Sequence, residues 1–490
     1  MNSTGTDSNT SPAGSSLKNT PGTISKSPLT LQNDEQDMVS GRDASSKVLN
    51  RKSSAAREYP AWKKRLIILV IAYASAMGPA GTTLYLPGVA QIQQDLLTSY
   101  TAVNASLAVN SFVTAIFVTF GDVFGRKNPF PVGLAIATIF SVCGGVPVNM
   151  GMLILFRGLF GVGISVCISV SAGIVTDLYE DRQQGSAFST VMRGISVGPA
   201  IGPIIGGALT QAFGWRSTLY FIGAYCLSAW ILILLFVPET CGKHNIDRCN
   251  SDEKPDRNRS SIRSLRLLRA LKLFAYPNVT LMCFVCGILT YFDYFNLMAY
   301  TWIYIKKYNL RPDIFSLCYL AVPVGNIVGN YLGGRLSDRT YSRRVSQAEA
   351  QGIEPNFEMR LDGIMLGICF FVLLSGIATF GCFEDFEQSR LTMTCLQANV
   401  CFGEAIVTLS TYLLNSFESQ SSAVNSCNFF VRFMLAGVRE IFVSDMLAAI
   451  PTGPLYTVSG ILVIPFALSI IYVKRYFLKW KRMREERTVT

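Results

Sequence analysis

The chain is 490 residues long, 50% hydrophobic and only 15% charged, against about 25% charged in an ordinary soluble domain. Its apolar runs are long enough to cross a bilayer, which takes about 20 residues at 1.5 Å rise each, and this excludes a string of soluble domains. The net charge of +11 gathers beside the ends of apolar segments, as at Lys63, Lys64 and Arg65 or Lys479, Lys481 and Arg482; that is the pattern of flanks facing an anionic leaflet, and it excludes a nucleic-acid partner.

Residues 1–58 are rich in Ser, Thr, Asn and Asp and lack an apolar core. They are not a signal peptide and predict a disordered cytoplasmic tail over 1–60. Apolar segments then predict spans near 66–87, 104–124, 130–149, 152–176, 189–212 and 216–237. A charged cytoplasmic loop follows over 238–276. Six further spans are predicted near 278–304, 313–336, 362–382, 391–413, 424–448 and 454–475, and a basic cytoplasmic tail over 477–490. The expected fold is an all-α membrane protein of twelve helices. Two pseudo-symmetric six-helix bundles, 61–237 and 277–476, are joined by the central loop. Lys/Arg-rich tails and central loop share one side when the spans are even in number, so both termini are placed in the cytoplasm. Lys306, Lys307 and Arg311 are the exception, on the outer side.

Two local patterns suggest mechanism. After the second span comes Gly121-Asp122-Val123-Phe124-Gly125-Arg126-Lys127, and after the eighth Gly333-Gly334-Arg335-Leu336-Ser337-Asp338-Arg339. Both read as Gly–Asp–basic turns at equivalent places in the two halves. Glycine permits a tight turn, and Asp122 or Asp338 can pair with a base or a helix N-terminus. Such a cluster, with Gly125, Arg126, Lys127 and Arg339, can latch one conformation and release another; the plain alternative is a solvated turn carrying topology charges. The fifth span reads Gly198-Pro199-Ala200-Ile201-Gly202-Pro203-Ile204-Ile205-Gly206-Gly207. Glycines four apart form one stripe that lets a neighbouring helix come close. Pro199 and Pro203 each remove a backbone hydrogen bond. A bent, closely packed helix suits a pivot, and simple helix packing is the alternative.

These residues carry a resemblance to the major facilitator superfamily. The 121–127 sequence is similar to its loop between helices two and three, although Val118 stands where that motif opens with Gly. Arg157 with Gly161 is similar to its fourth-helix motif, with Phe160 where Gln is common. Gly198 to Gly207 resembles the signature of its antiporters. Pro238-Glu239-Thr240, Ser410-Thr411-Tyr412-Leu413, Ser421-Ser422-Ala423-Val424 and Arg432 resemble fungal drug:proton antiporters with twelve spans. Met77-Gly78-Pro79 with Tyr85-Leu86-Pro87 resembles the branch of quinidine-resistance and dityrosine transporters. Cys241-Gly242-Lys243-His244-Asn245 departs from the sequence usual after Pro-Glu-Thr. The resemblance implies a secondary active transporter at the plasma membrane. It would export small amphipathic or cationic compounds, such as drugs, toxic metabolites, polyamines or dityrosine-like molecules, in exchange for protons by alternating access. A nutrient or metabolite symporter or facilitator is the alternative on the same fold.

Ionisable residues inside spans are expensive and therefore functional candidates: Arg157, Arg193, Asp293, Glu404, Arg432, Arg439 and Glu440. The single histidine, His244, lies in the central loop, so a coupled proton must ride on a carboxylate. Asp293 is the first candidate, amid Tyr291, Tyr294 and Asn296, where a carboxyl can cycle between its protonated and charged forms. A cation could compete there with the proton, helped by ring faces; an ion pair with an arginine is the structural alternative. Glu404 is the second candidate, with Arg157 tuning a nearby carboxylate. Tyr291, Asp293, Tyr294, Asn296 and Arg432 are the expected substrate contacts. Tyr73, Tyr220, Tyr300 and Trp302 either line the cavity or anchor spans at the interface.

The 13 cysteines lie mostly in apolar segments without zinc spacing, and the Cys283–Cys286 pair reads as helix packing. No metal or cofactor is expected. Enzyme motifs of the H-E-x-x-H and P-loop kinds are missing, which argues against a metalloenzyme and against ATP-driven transport. The expected partners are a small-molecule substrate, protons and the lipid bilayer, with the protein a monomer.

Overall fold

A computed structural model gives the course of residues 59–119, 129–179, 181–237, 273–306, 320–352, 357–361, 364, 368, 388–416, 421–449, 465 and 468–476. Among the described residues every regular element is helical, in keeping with the predicted all-α membrane fold. Among the described residues, six segments are long and apolar enough to cross a bilayer: Ala61–Asp95, Thr101–Val118, Met150–Ser171, Ala187–Phe213, Arg216–Phe236 and Pro277–Asn296. A bilayer offers no partner to a bare N–H or C=O, so crossing segments must close their hydrogen bonds on themselves. The predicted tails, the central loop up to 272, the Gly121–Lys127 cluster with Asp122, Gly125 and Arg126, and most of the spans at 362–382 and 454–475 lie outside the described residues.

The first span departs from the single helix expected over 66–87. It forms α1 (Ala61–Ser75), α2 (Met77–Thr83), a 3-10 turn (Leu86–Gly88) and α3 (Val89–Asp95). Pro79 has no N–H for the Ser75 carbonyl, and Pro87 none for Thr83, so the helix is interrupted ahead of each proline. α4 (Tyr100–Val118) begins at Ser99, whose hydroxyl accepts the Ala102 amide at 3.2 Å. α5 (Pro129–Cys143) stops before the expected 149, at Gly144 and Gly145 followed by Pro147. Asn149 caps α6 (Met150–Leu178), accepting the Met152 amide at 2.9 Å. α7 (Asp181–Phe213) runs through Pro199 and Pro203 and ends at Gly214, whose φ of +80° suits a residue without Cβ. At the turn into α8 (Arg216–Phe236), Trp215 Nε1 and Arg216 Nη1 both donate to Asp95 Oδ2, at 2.9 and 3.1 Å.

The second half contributes α9 (Pro277–Lys306), α10 (Ala321–Ala350), α11 (Gln388–Ser416) and α12 (Ser421–Ala449). α10 corrects the sequence reading of a turn at 333–339. Those residues are helical, and the helix continues to Ala350, well past the expected membrane edge at 336. No proline interrupts Arg335–Ala350, and the first stop is Gly352 at φ +67°. The glycines at 333 and 334 serve packing rather than turning.

Glycines set how closely the helices meet. Along α7, Gly194, Gly198, Gly202 and Gly206 press on the first span, where added Cβ atoms would fall on Ala72 O, Ala76 O, Thr83 Oγ1 and Leu84 O. Gly207, assigned to the same pivot from the sequence, has nothing within 4 Å of an added Cβ. The second half has its own stripe. Gly325, Gly329 and Gly333 of α10 lie on the backbone of Leu396, Val400 and Glu404 in α11. The halves also echo each other in sequence position: Asn110 precedes Asp122 by 12 residues, and Asn326 precedes Asp338 by 12. Gly161 of α6 packs on Asn110 O, and Gly403 of α11 on Asn326 O, both at 2.8 Å from an added Cβ.

Candidate functional site

The helices of the two halves meet around a central cavity. Its wall is built from α2, α4, α6 and α7 on one side and from α9 and α12 on the other. Gly78, Pro79, Ile164, Ile195, Phe429, Phe433 and Ala436 make it apolar, and Thr82, Asn110, Ser111, Thr114, Thr290, Tyr294, Arg432 and Glu440 make it polar. About 600 Å³ is free of atoms when the mouth is counted, but water centres fit over only about 40 Å³. One water needs about 10–15 Å³ on that measure, so this conformation has room for a few waters, and a drug-sized molecule requires the halves to separate.

Polar contacts between the halves stand at two levels of α12. Near its start, the Ser426 and Ser169 hydroxyls meet at 3.1 Å. Fourteen residues on, about 21 Å along the axis, Ser111 Oγ of α4 donates to Glu440 Oε2 at 2.8 Å. Beside it, the Phe112 ring lies against Gly437. The lining residues of α12, from Phe429 to Glu440, fall between these levels. A third contact joins α7 to α10, where Asn330 Nδ2 donates to Ser196 Oγ at 2.9 Å.

The cavity wall on the α9–α12 side is charged. Arg439 Nη2 donates to Glu440 Oε1 at 2.9 Å, with both side chains almost fully buried. The Arg439 guanidinium lies 5.0 Å from the Tyr294 ring centroid. Arg432 Nε donates to Thr290 Oγ1 at 2.9 Å, and its guanidinium lies 4.9 Å from the Phe429 ring. Arg432 Nη1 and Arg439 Nε and Nη1 are buried without partners among the described residues. Such orphaned donors cost about 1–3 kcal/mol each or more when charged, so they mark a place where a bound molecule, water or a rearrangement supplies acceptors.

The sequence candidates separate on this geometry. Tyr294 and Arg432 line the cavity; Tyr291, Asp293 and Asn296 do not. Asp293 is adjacent to Tyr294, with Arg432 and Arg439 as its charged neighbours. It makes no ion pair within 4 Å among the described residues, and its Oδ1 is buried without a partner. Glu404 sits half-buried on α11, outside the cavity wall, with Gly333 on its backbone. Arg157 of α6 is 2% exposed and bound within the first half: its Nη1 donates to Gly81 O at 3.1 Å, and the Tyr85 ring lies 4.4 Å from the guanidinium. Glu440 is close enough to act on it electrostatically. Tyr73 hydrogen-bonds Ser228 at 2.8 Å inside the first half, and Tyr220 is exposed. The side chains of Tyr300 and Trp302 lie outside the described residues.

Two site residues escaped the sequence reading of roles. Glu440 stood among the charged span residues, but Arg439 beside it suggested only a local pair; its reach across to Ser111 needs the fold. Arg360 is the partner of Asp338, with Nη1 donating to Oδ1 at 3.1 Å, and it is nearly buried against the Tyr341 ring. Arg339, the expected basic neighbour, is exposed. Partial burial pushes the Asp338 carboxyl above the ordinary carboxylate range, and Arg360 pulls it back.

Comparison with known proteins adds four findings. Residues 66–438 match the Major Facilitator Superfamily. The chain is 34% identical over 189 residues to the MFS antiporter QDR3 of Candida albicans, covering 38% of this chain but only 27% of that protein. It is 24% identical over 466 residues to the probable transporter AQR1 of Saccharomyces cerevisiae, covering 86% of this chain and 78% of that one. The crystal structure of the human organic anion transporter MFSD10 superposes with a TM-score of 0.57 at 12% identity, over 84% of this chain and 100% of that chain; at that identity the likeness speaks for the fold alone.

Proposed function

Because this chain belongs to the Major Facilitator Superfamily, we propose that it is a secondary transporter that exports small amphipathic or cationic compounds in exchange for protons. It works by alternating access at the central cavity, as a monomer in the plasma membrane with both termini in the cytoplasm. The observation that carries this reading is a cavity at the junction of two helix groups, bounded at two levels by contacts between them and walled by buried charges. Opening either level admits cargo from one side while the other stays shut. Relatives named as an antiporter and as a transporter support the reading.

The proton rides on Asp293, which stands outside the cavity lining but next to Tyr294, which lines it. Asp293 holds an unpartnered oxygen beside two arginines, so proton gain and loss there changes the charge that Arg432 and Arg439 face. Glu440 joins the halves directly and translates that change into movement. Glu404, on α11, is the more distant candidate, and Arg157 orients the first half through Gly81 and Tyr85. The Asp338–Arg360 pair and the α7 glycine stripe serve as latch and pivot. Inside-out vesicles carrying the full chain test this. Collapse of the proton gradient is expected to abolish accumulation of a fluorescent cationic drug, and Asp293→Asn to lower it at least tenfold. Accumulation unchanged by both treatments removes proton coupling.

A further inference from the structure

We propose that the outward face of α10, where it leaves the bilayer, binds the headgroup of a phosphoinositide lipid, which rests on the cytoplasmic orientation given above. The face is continuous. Val324, Val328, Tyr331, Leu332 and Leu336 are exposed along it, spaced so that they share one side of the helix, as residues that meet lipid chains do. Arg335, Arg339 and Arg343 extend the same side at intervals of four and are all exposed. Arg335 is braced by Tyr331, its guanidinium 4.3 Å from the ring centroid.

The spacing selects the ligand. Leu336 is the last exposed apolar residue on the face and places the hydrocarbon edge. Arg335 then stands at that edge, Arg339 about 6 Å farther out and Arg343 about 12 Å out. The headgroup layer of one leaflet is only about 5–7 Å deep. A phosphatidylserine phosphate can therefore meet the first two arginines, whereas the third needs phosphates that project beyond the phosphodiester, as those of an inositol ring do. Basic clusters just cytoplasmic of a spanning helix attract such lipids, and guanidinium grips phosphate bidentately. The nearby acids do not cancel the patch: Asp338 is engaged by Arg360, and Glu349 lies about 9 Å beyond Arg343 along the axis. The site would make opening sensitive to the lipid, because α10 also holds the Asn330–Ser196 contact between the halves.

The test is fluorescence anisotropy of a labelled phosphatidylinositol 4,5-bisphosphate titrated with the detergent-purified full chain. Binding should saturate, resist competition by phosphatidylserine and by soluble inositol trisphosphate, and fall on the order of 100-fold in an Arg335→Gln, Arg339→Gln, Arg343→Gln variant, at about fivefold per basic side chain. An Arg335→Lys, Arg339→Lys, Arg343→Lys variant should keep most of the affinity. Equal binding by the Gln variant overturns the site, and equal competition by phosphatidylserine or by soluble inositol trisphosphate overturns the lipid assignment. Micelles have no sidedness, so these outcomes do not depend on orientation. Labelling of a Ser346→Cys variant from the cytoplasmic side, over the background of the parent chain, tests orientation separately.

Discussion

Ser111→Ala tests whether the α4–α12 contact holds this conformation. The hydroxyl is buried, and its donation to Glu440 Oε2 at 2.8 Å crosses between the halves. A hydrogen bond to a charged group contributes about 1.5–3 kcal/mol. When the halves part, water reaches Glu440 and returns some of that, so the lower bound of about 1.5 kcal/mol is the expected shift. It corresponds to about a tenfold gain in the population whose α4 and α12 are apart at this level. The removed group is one oxygen, Glu440 keeps its bond from Arg439, and no cavity larger than a hydroxyl is made, so the fold should survive. Spin labels at the exposed Leu97 and at Ala449 would report the distance distribution by double electron–electron resonance in the full chain. The control is Ser106→Ala on the same helix, whose hydroxyl meets Tyr85 at 3.2 Å within the first half. The reasoning fails if Ser111→Ala leaves the distribution where it was, or if Ser106→Ala moves it equally.

The glycine stripe gives a paired prediction. Gly202→Ala puts a Cβ on Thr83 and should cost about 1–3 kcal/mol through overpacking, whereas Gly207→Ala meets nothing within 4 Å and should leave the melting temperature of the purified protein unchanged. In the C-terminal part of α10, Asp338→Asn and Arg360→Gln should each lower stability by about 1 kcal/mol and be non-additive in the double variant. Arg339→Gln should have no effect on the same measurement, and a drop equal to that of Asp338→Asn would return Arg339 to the latch.

How much of this the sequence could disclose follows from the range of each interaction. Hydropathy is local, so the described crossing helices lie where apolar runs stand, and the spacing of Gly198, Gly202 and Gly206 foretold a close neighbour. Which neighbour it is, and that Gly194 joins the stripe while Gly207 does not, depends on the partner helix. The interruption at Pro79 is proline chemistry, but hydropathy passes smoothly over it and predicts one helix. Glycine and aspartate alone predict a turn at 333–339, but in α10 those glycines face Glu404 and Ser189, and the helix simply continues. Glu440 shows the limit most directly. Its partner is 329 positions away, and no local pattern carries a contact at that separation.

The two kinds of contact also explain how such a molecule can move without coming apart. Within each half, helices meet backbone to backbone along glycine stripes, α7 on α1 and α2, and α10 on α11. Separating them would strip many dispersion contacts at once. Between the halves, the described residues form hydrogen bonds at Ser111–Glu440, Ser169–Ser426 and Asn330–Ser196, beside apolar contacts such as the Phe112 ring on Gly437. At about 1 kcal/mol net for a neutral bond and about 1.5–3 for one to a charge, the three together amount to a few kcal/mol, which is the scale separating interconverting conformations. A bound proton or cargo that changes the charge at Glu440, Arg439 and Arg432 acts on a balance of that size. On the proposed alternating-access reading, the motion is therefore of one half against the other, because the glycine-stripe packing inside each half opposes separation there.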